Sequence, residues 1–310
     1  MRVHHLNCGT LRPLGGRLIN GDQLPFLPAR LVCHCLLVER DEGLVLIDSG
    51  FGTTDTGESI LPLLTRAFTR YRGPDLDLVR GLYNRLGTRA RLDPEETAVR
   101  QIAALGHSSA DVTDVVLTHL DLDHAGGLPD FPQARVHVLD AELRAALEPG
   151  GVQEQFRYAA RHWAHGPDWR RYEPNGEWFG FDAVAELEGL PGLGLVSLPG
   201  HSRGHAGVAV RLDPSQNGGR EWLLHAGDAY FFHGEADPDA PHSTPGLAGF
   251  QARFEVDGGA RRETRRRLRD LRAEHRDRVE FFCTHDPVEL ERLQTGSAAA
   301  APSARHAVGS

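Results

Sequence analysis

Residues 118–127 read Thr118-His119-Leu120-Asp121-Leu122-Asp123-His124-Ala125-Gly126-Gly127, so four candidate metal ligands fall within six residues and two glycines follow. Just upstream, Val115-Val116-Leu117 is a short apolar run suited to a buried strand. The polar cluster is therefore placed on the loop leaving that strand, where α/β proteins put their chemistry. Imidazole and carboxylate donors together suit Zn²⁺, Fe²⁺ or Mn²⁺, and the alternation of His119, Asp121 and Asp123 lets neighbouring side chains aim at two adjacent positions. Gly126 and Gly127 are read as allowing a tight turn. An isolated His/Asp pair would read equally well as a solvated turn.

What lifts the cluster above that reading is its set of downstream partners. Pro199-Gly200-His201, Ala226-Gly227-Asp228 and Cys283-Thr284-His285-Asp286 each end an apolar run: Leu195–Leu198, Trp222–Leu224 and Val279–Phe282. Four strand ends thus each deliver His or Asp. In this order the pieces resemble the metallo-β-lactamase superfamily, whose signature is His-x-His-x-Asp-His followed by a His, a bridging Asp and a last His. The stretch from Leu37-Val38-Glu39 to Asp48-Ser49-Gly50 is similar to that family's N-terminal hairpin. The run Leu190-Pro191-Gly192 to Pro199-Gly200-His201-Ser202-Arg203-Gly204-His205, together with Phe281-Phe282-Cys283-Thr284-His285-Asp286, looks most like the N-acyl-homoserine-lactone lactonase branch.

The resemblance implies an α/β fold, a four-layer αββα sandwich, with a dinuclear centre. Carried over by motif position, His119, Asp121 and His201 would hold one metal, and Asp123, His124 and His285 the other, with Asp228 bridging. Two divalent ions, zinc foremost, are implied, and a water or hydroxide between them as nucleophile. The family's second His is Asp121 here; a harder, anionic donor admits Fe²⁺ or Mn²⁺ more readily. Asp123 is also carried over as a catalytic residue. The lactonases place a Tyr after the bridging Asp to bind the substrate carbonyl; Tyr230 stands one position early and is the candidate for that role, with a ring packed against the sheet as the other reading. Asp48 and His205 are expected behind the ligands, with Asp48 either taking backbone hydrogen bonds or orienting a metal-binding His. His225, His233 and His242 match no motif and are read as surface or loop residues.

The chain has 310 residues and 40% hydrophobic content, enough for a sizeable core. Because the candidate ligands spread from His119 to His285, one site requires both halves packed together, and residues 1–294 are read as a single domain. A net charge of -9 disfavours nucleic acid or an anionic membrane as partner and fits a small-molecule substrate. A homodimer is equally open. The opening Met1-Arg2-Val3-His4-His5-Leu6 lacks a secretory core, and no stretch approaches the roughly 20 apolar residues of a span, so a cytoplasmic protein is expected. Cys8, Cys33, Cys35 and Cys283 are too few for a disulfide framework; Cys33 and Cys35 are read as core residues on one side of a strand.

Along the chain, Val3–Arg12 and Arg30–Ile47 read as strands, the latter broken by a turn at 40–43. Residues 51–92 read as a partly helical insertion. Asp93-Pro94-Glu95-Glu96 opens a capped helix that Gly106 stops. Val136–Leu139 is a strand, and Asp140 to Leu147 a helix. Residues 154–181 crowd aromatics (Phe156, Tyr158, Trp163, Trp169, Tyr172, Trp178, Phe179, Phe181) and read as a lid or as a cover with its own small core. Strands near Leu195–Leu198, Gly207–Leu212 and Glu221–His225 supply the second sheet, and 235–245 a mobile loop. Arg261–Arg278 is a helix with a solvated basic face and a Glu263–Arg267 pair. Residues 295–310 read as a disordered tail.

The function expected is metal-dependent hydrolysis of an ester-like bond by a metal-bound hydroxide, with lactone opening favoured. The alternatives are an iron-dependent oxidoreductase of the same fold, flavodiiron or persulfide dioxygenase-like, and a phosphodiesterase.

Overall fold

The computed structural model describes residues 1–21, 27–56, 89–184 and 186–295. Most of the expected insertion at 51–92 and nearly all of the expected tail at 295–310 therefore lie outside the described residues. Strands β1 (Arg2–Leu11), β2 (Leu31–Arg40), β3 (Gly43–Ile47), β4 (Val112–Val116), β5 (Arg135–Leu139) and β6 (Asp168–Tyr172) form one six-stranded sheet in that spatial order. Pairing is antiparallel from β1 to β3 and parallel from β3 to β6. The second sheet holds β7 (Gly176–Trp178), β8 (Phe181–Val184), β9 (Leu193–Ser197), β10 (Ala206–Arg211), β11 (Trp222–His225) and β12 (Val279–Phe282), adjacent in sequence order. Only β11 and β12 pair in parallel within it.

Among the described residues the α-helices are α1 (Gly16–Asn20), α2 (Thr53–Thr56), α3 (Ala98–Ala104), α4 (Leu122–Ala125), α5 (Asp140–Leu147), α6 (Val152–Arg157), α7 (Pro245–Phe254), α8 (Gly258–His275) and α9 (Pro287–Gln294). The layers follow from strand alternation. On β2, Leu36 and Val38 face the second sheet and meet Leu195, Val208 and Leu223, while Cys35 and Leu37 face outward against Ile102 of α3 and Leu143 of α5. On the far side, Val196, Leu224 and Phe281 pack against Leu268 and Leu271 of α8. The order is helix, sheet, sheet, helix, as the resemblance implied. Each fully buried Leu or Phe contributes about 1.5–3 kcal/mol. Among the described residues no helix is long and apolar enough to cross a membrane.

Several local expectations are corrected. Residues 94–96 form a 3-10 turn capped by Asp93, and the helix proper begins at Ala98. The basic run on α8 is not wholly solvated: Arg261 is fully buried, with Nε donating to Ala229 O and Nη1 to Glu255. Glu263 pairs with Arg266, whereas Arg267 donates to Gly180 O and covers Phe181. Glu235 is buried and accepts from Phe231 N, Gln251 and Arg265, which ties down the start of the segment expected to be loose. The aromatic segment is divided between layers: Tyr158 and Trp163 lie under the first sheet, Trp178 and Phe181 under the second.

Candidate metal centre

The site lies where four strands end. The chain leaves β4 through Leu117 and Thr118, and Asp48, at the end of β3, fixes its course. Asp48 accepts from Thr118 N and Oγ1, both at 2.8 Å, and from His124 Nδ1 at 2.7 Å. Asp48 thus takes a backbone hydrogen bond and orients a histidine at once. The loops after β9, β11 and β12 bring His201, Asp228 and His285 to the same edge.

The ligand-bearing atoms converge. His201 Nε2 and His119 Nε2 stand 3.1 and 3.4 Å from Asp121 Oδ2, and 3.4 and 3.9 Å from Asp228 Oδ2. Around the second position, His124 Nε2 is 3.3 Å from Asp228 Oδ1, and His285 Nε2 is 3.2 Å from Asp228 Oδ2 and 3.7 Å from Asp123 Oδ2. A tetrahedral ion bound at 2.0–2.1 Å separates its donors by about 3.4 Å. His119 Nε2, Asp121 Oδ1, His124 Nε2 and Asp228 Oδ1 are buried without a hydrogen-bond partner. Such atoms normally cost about 1–3 kcal/mol each, and they fit a cation.

Hydrogen bonds behind the rings set the tautomers. His124 Nδ1 donates to Asp48, and His285 Nδ1 donates to Val32 O at 2.7 Å, so each Nε2 lone pair faces the site. His205 donates from Nδ1 to Leu198 O and accepts at Nε2 from Asp228 N, both at 2.8 Å, which positions Asp228. Burial raises the Asp228 carboxyl, but His285, His124 and His201 together hold it well below the carboxylate range. Burial and the neighbouring Arg157 push His201 down to about 3, so its ring is neutral.

Glycines bring these loops together by close approach. Gly126 and Gly127 have ordinary negative φ, so they are not the tight turn expected; a Cβ on Gly127 would lie 2.6 Å from Ser49 O. Gly227 does adopt φ +54, and a Cβ there would meet His205 Nε2 at 2.6 Å.

Other residues stand apart from their expected places. Tyr230 is wholly buried under α8 with its hydroxyl on Glu289 at 3.0 and 3.1 Å, away from the place expected for it; Phe231 faces the site instead, its ring 4.4 Å from that of His285. His225 is not a surface residue: it is fully buried, donates from Nε2 to His34 O at 2.6 Å and accepts from Gly227 N. His233 bonds Asp286, and His242 is exposed beside Ala240 O. Cys33 is core, as expected, but its sulfur also lies within 4.8 Å of the Asp123 and His285 donor atoms.

Two residues of the site carried no assignment in the sequence. Glu142, fully buried on α5, accepts from Leu120 N, Ser202 Oγ, Gly204 N and Tyr158 Oη. Arg157, at the end of α6, donates from Nη1 to Asp121 Oδ2 at 2.7 Å and to His201 Nε2 at 2.9 Å. Glu142 opens a helix three residues after a strand, and Arg157 sits in the aromatic segment; neither has a spacing that marks it.

The family model described as the metallo-beta-lactamase superfamily matches residues 28–278. A protein of Mycobacterium tuberculosis named as a probable metallo-hydrolase is 37% identical over 295 residues, covering 93% of this chain and 81% of its own. The N-acyl homoserine lactonase AttM of Rhizobium radiobacter is 33% identical over 131 residues, 40% of this chain and 46% of that protein. Among solved structures, an N-acyl homoserine lactone hydrolase with N-hexanoyl-L-homoserine bound at its catalytic metal centre aligns with TM-score 0.63 at 18% identity, over 93% of this chain and 94% of that one. The dizinc quorum-quenching lactonase AidC aligns at 0.55 and 16% identity, over 92% and 87%. At such identities the structural likeness shows the fold. The chain belongs to the metallo-beta-lactamase superfamily.

Proposed function

We propose that this chain hydrolyses an ester-like bond, a lactone ring first among the candidates, at a centre for two divalent cations, zinc foremost. The observation that carries the reading is the convergence of His119, Asp121, Asp123, His124, His201, Asp228 and His285, with five of their buried polar atoms lacking a hydrogen-bond partner in the protein. Divalent cations held there would lower the pKa of a bound water to about 7 and polarise a carbonyl.

The chain's own residues supply orientation and shape. Asp48 and Val32 O hold His124 and His285 with Nε2 forward, and His205 holds Asp228. Phe231 and the partly buried Leu122 and Phe250 belong to one apolar cluster beside the site, suited to a neutral acyl group. Asp123, partly open to solvent, is assigned to carry the water proton to the ring oxygen as the ring C–O bond breaks and the new C–O bond forms. The lactonase relatives and structural neighbours support the lactone reading, and the net charge of -9 supports a small uncharged substrate.

The test is metal analysis of protein purified without added metal, followed by a lactone and ester panel. Zinc at one to two ions per chain with lactone turnover is expected. Iron with thiol-dependent O₂ uptake and no ester cleavage would overturn the reading and favour the oxidoreductase alternative, to which the carboxylate of Asp121 lends its donor chemistry.

A further inference from the structure

Arg157 is a buried guanidinium, hydrogen-bonded through both terminal nitrogens, placed among groups that the reading above gives to a cation. Its side chain is 4% exposed. Nη1 reaches both Asp121 Oδ2 and His201 Nε2, and Nη2 donates to Phe254 O at the end of α7. The segment is fixed from behind by a β-bridge between Asp121 and Tyr158, whose hydroxyl donates to Glu142. Nη1 has two hydrogens and no lone pair to offer. It therefore meets the Asp121 oxygen and the neutral His201 nitrogen as acceptors, and their 3.1 Å separation is that of two acceptors sharing one donor.

A single lone pair on His201 Nε2 cannot serve an N–H donor and a metal ion together. The same holds for charge: a divalent ion between His119, Asp121 and His201 would face a buried, permanently protonated guanidinium. At the second position His124 Nε2 and Asp228 Oδ1 have no hydrogen-bond partner, and His285 Nε2 lies 3.2 Å from Asp228 Oδ2 and 3.7 Å from Asp123 Oδ2. We propose that Arg157 and a metal ion are alternative occupants of the first position, so that the two positions load in sequence, the second tightly and the first only as the guanidinium leaves His201. Arg157 is then a positioning residue that sets first-position affinity. The proposal rests on the two-position reading of the site.

The test is calorimetric titration of the metal-free full-length chain with Zn²⁺, compared with Arg157→Met. The wild type is expected to show one tight and one weaker equivalent, and the variant to tighten the weaker one at least tenfold while leaving the tight one within about threefold. Two equivalents of equal affinity in the wild type, or a weaker equivalent unmoved by the substitution, would overturn the proposal and leave the hydrolase reading standing. Absence of Zn²⁺ binding in both proteins would overturn the two together. Should Arg157→Met fail to fold, anomalous diffraction from wild-type crystals at one and at excess equivalents decides the matter. The second position filling first, with Arg157 displaced once the first is filled, supports the proposal. The first position filled with Arg157 still on His201 refutes it.

Discussion

Glu142 Oε2 accepts from Ser202 Oγ at 2.6 Å, and through this contact α5 clamps the loop after β9. The same carboxylate receives Leu120 N and Gly204 N, so one buried group joins the loop carrying His119 to the loop carrying His201. Replacing it by Leu leaves two backbone N–H groups and two hydroxyls buried without this acceptor. Glu142→Leu is expected to lower stability by about 3 kcal/mol, read as a fall in the chemical-denaturation midpoint; a midpoint within error of wild type would exclude the clamp.

Asp48 reaches the site only through Thr118 and His124. Asp48→Asn keeps the shape but weakens the hold on His124 Nδ1, and is expected to reduce Zn²⁺ affinity about 10–100-fold. His124→Ala should abolish ester hydrolysis with the circular dichroism spectrum unchanged. Competition titration against a chelating dye measures the first, and initial rates with a lactone the second. Full activity of His124→Ala would rule out the assigned centre.

Tyr230 contributes its hydroxyl to Glu289 and its ring to the core under α8. Tyr230→Phe should cost about 1 kcal/mol of stability and leave kcat within about twofold. A hundredfold loss in kcat at unchanged stability would restore the tyrosine to the reaction.

His5 bonds His34 Nε2 at 2.8 Å, and burial, with His225, Arg292 and His4 adding repulsion, lowers it from 6.5 to about 4. The folded chain thus refuses a proton that the unfolded chain accepts between those values. Stability is therefore full above pH 6.5 and falls as pH drops towards 4, by about 3 kcal/mol from this group. His5→Gln should flatten the slope of melting temperature against pH in that window; an unchanged slope would assign it to other groups.

The ligand set was legible because its chemistry is local: His119 to His124 share one short loop, and each later ligand follows an apolar run that announces a strand end. The fold followed from the same punctuation. Tyr230 and its neighbour Phe231 lie in the irregular loop after β11, where no strand period tells which of the two turns to the site, and it is Phe231 whose ring lies beside His285. Arg157 and Glu142 stayed hidden because their partners lie 36 and 60 residues away. His225 looked like a loop residue, yet at the end of β11 it points between the sheets, where His34 O accepts its proton.

The donors come from both sheets: His119 to His124 follow β4, while His201, Asp228 and His285 follow β9, β11 and β12. During synthesis, residue 285 must therefore be made before the candidate donor set is complete. Until then the emerging chain carries His119 to His124, and later His201 and Asp228, without the group that would close the cage.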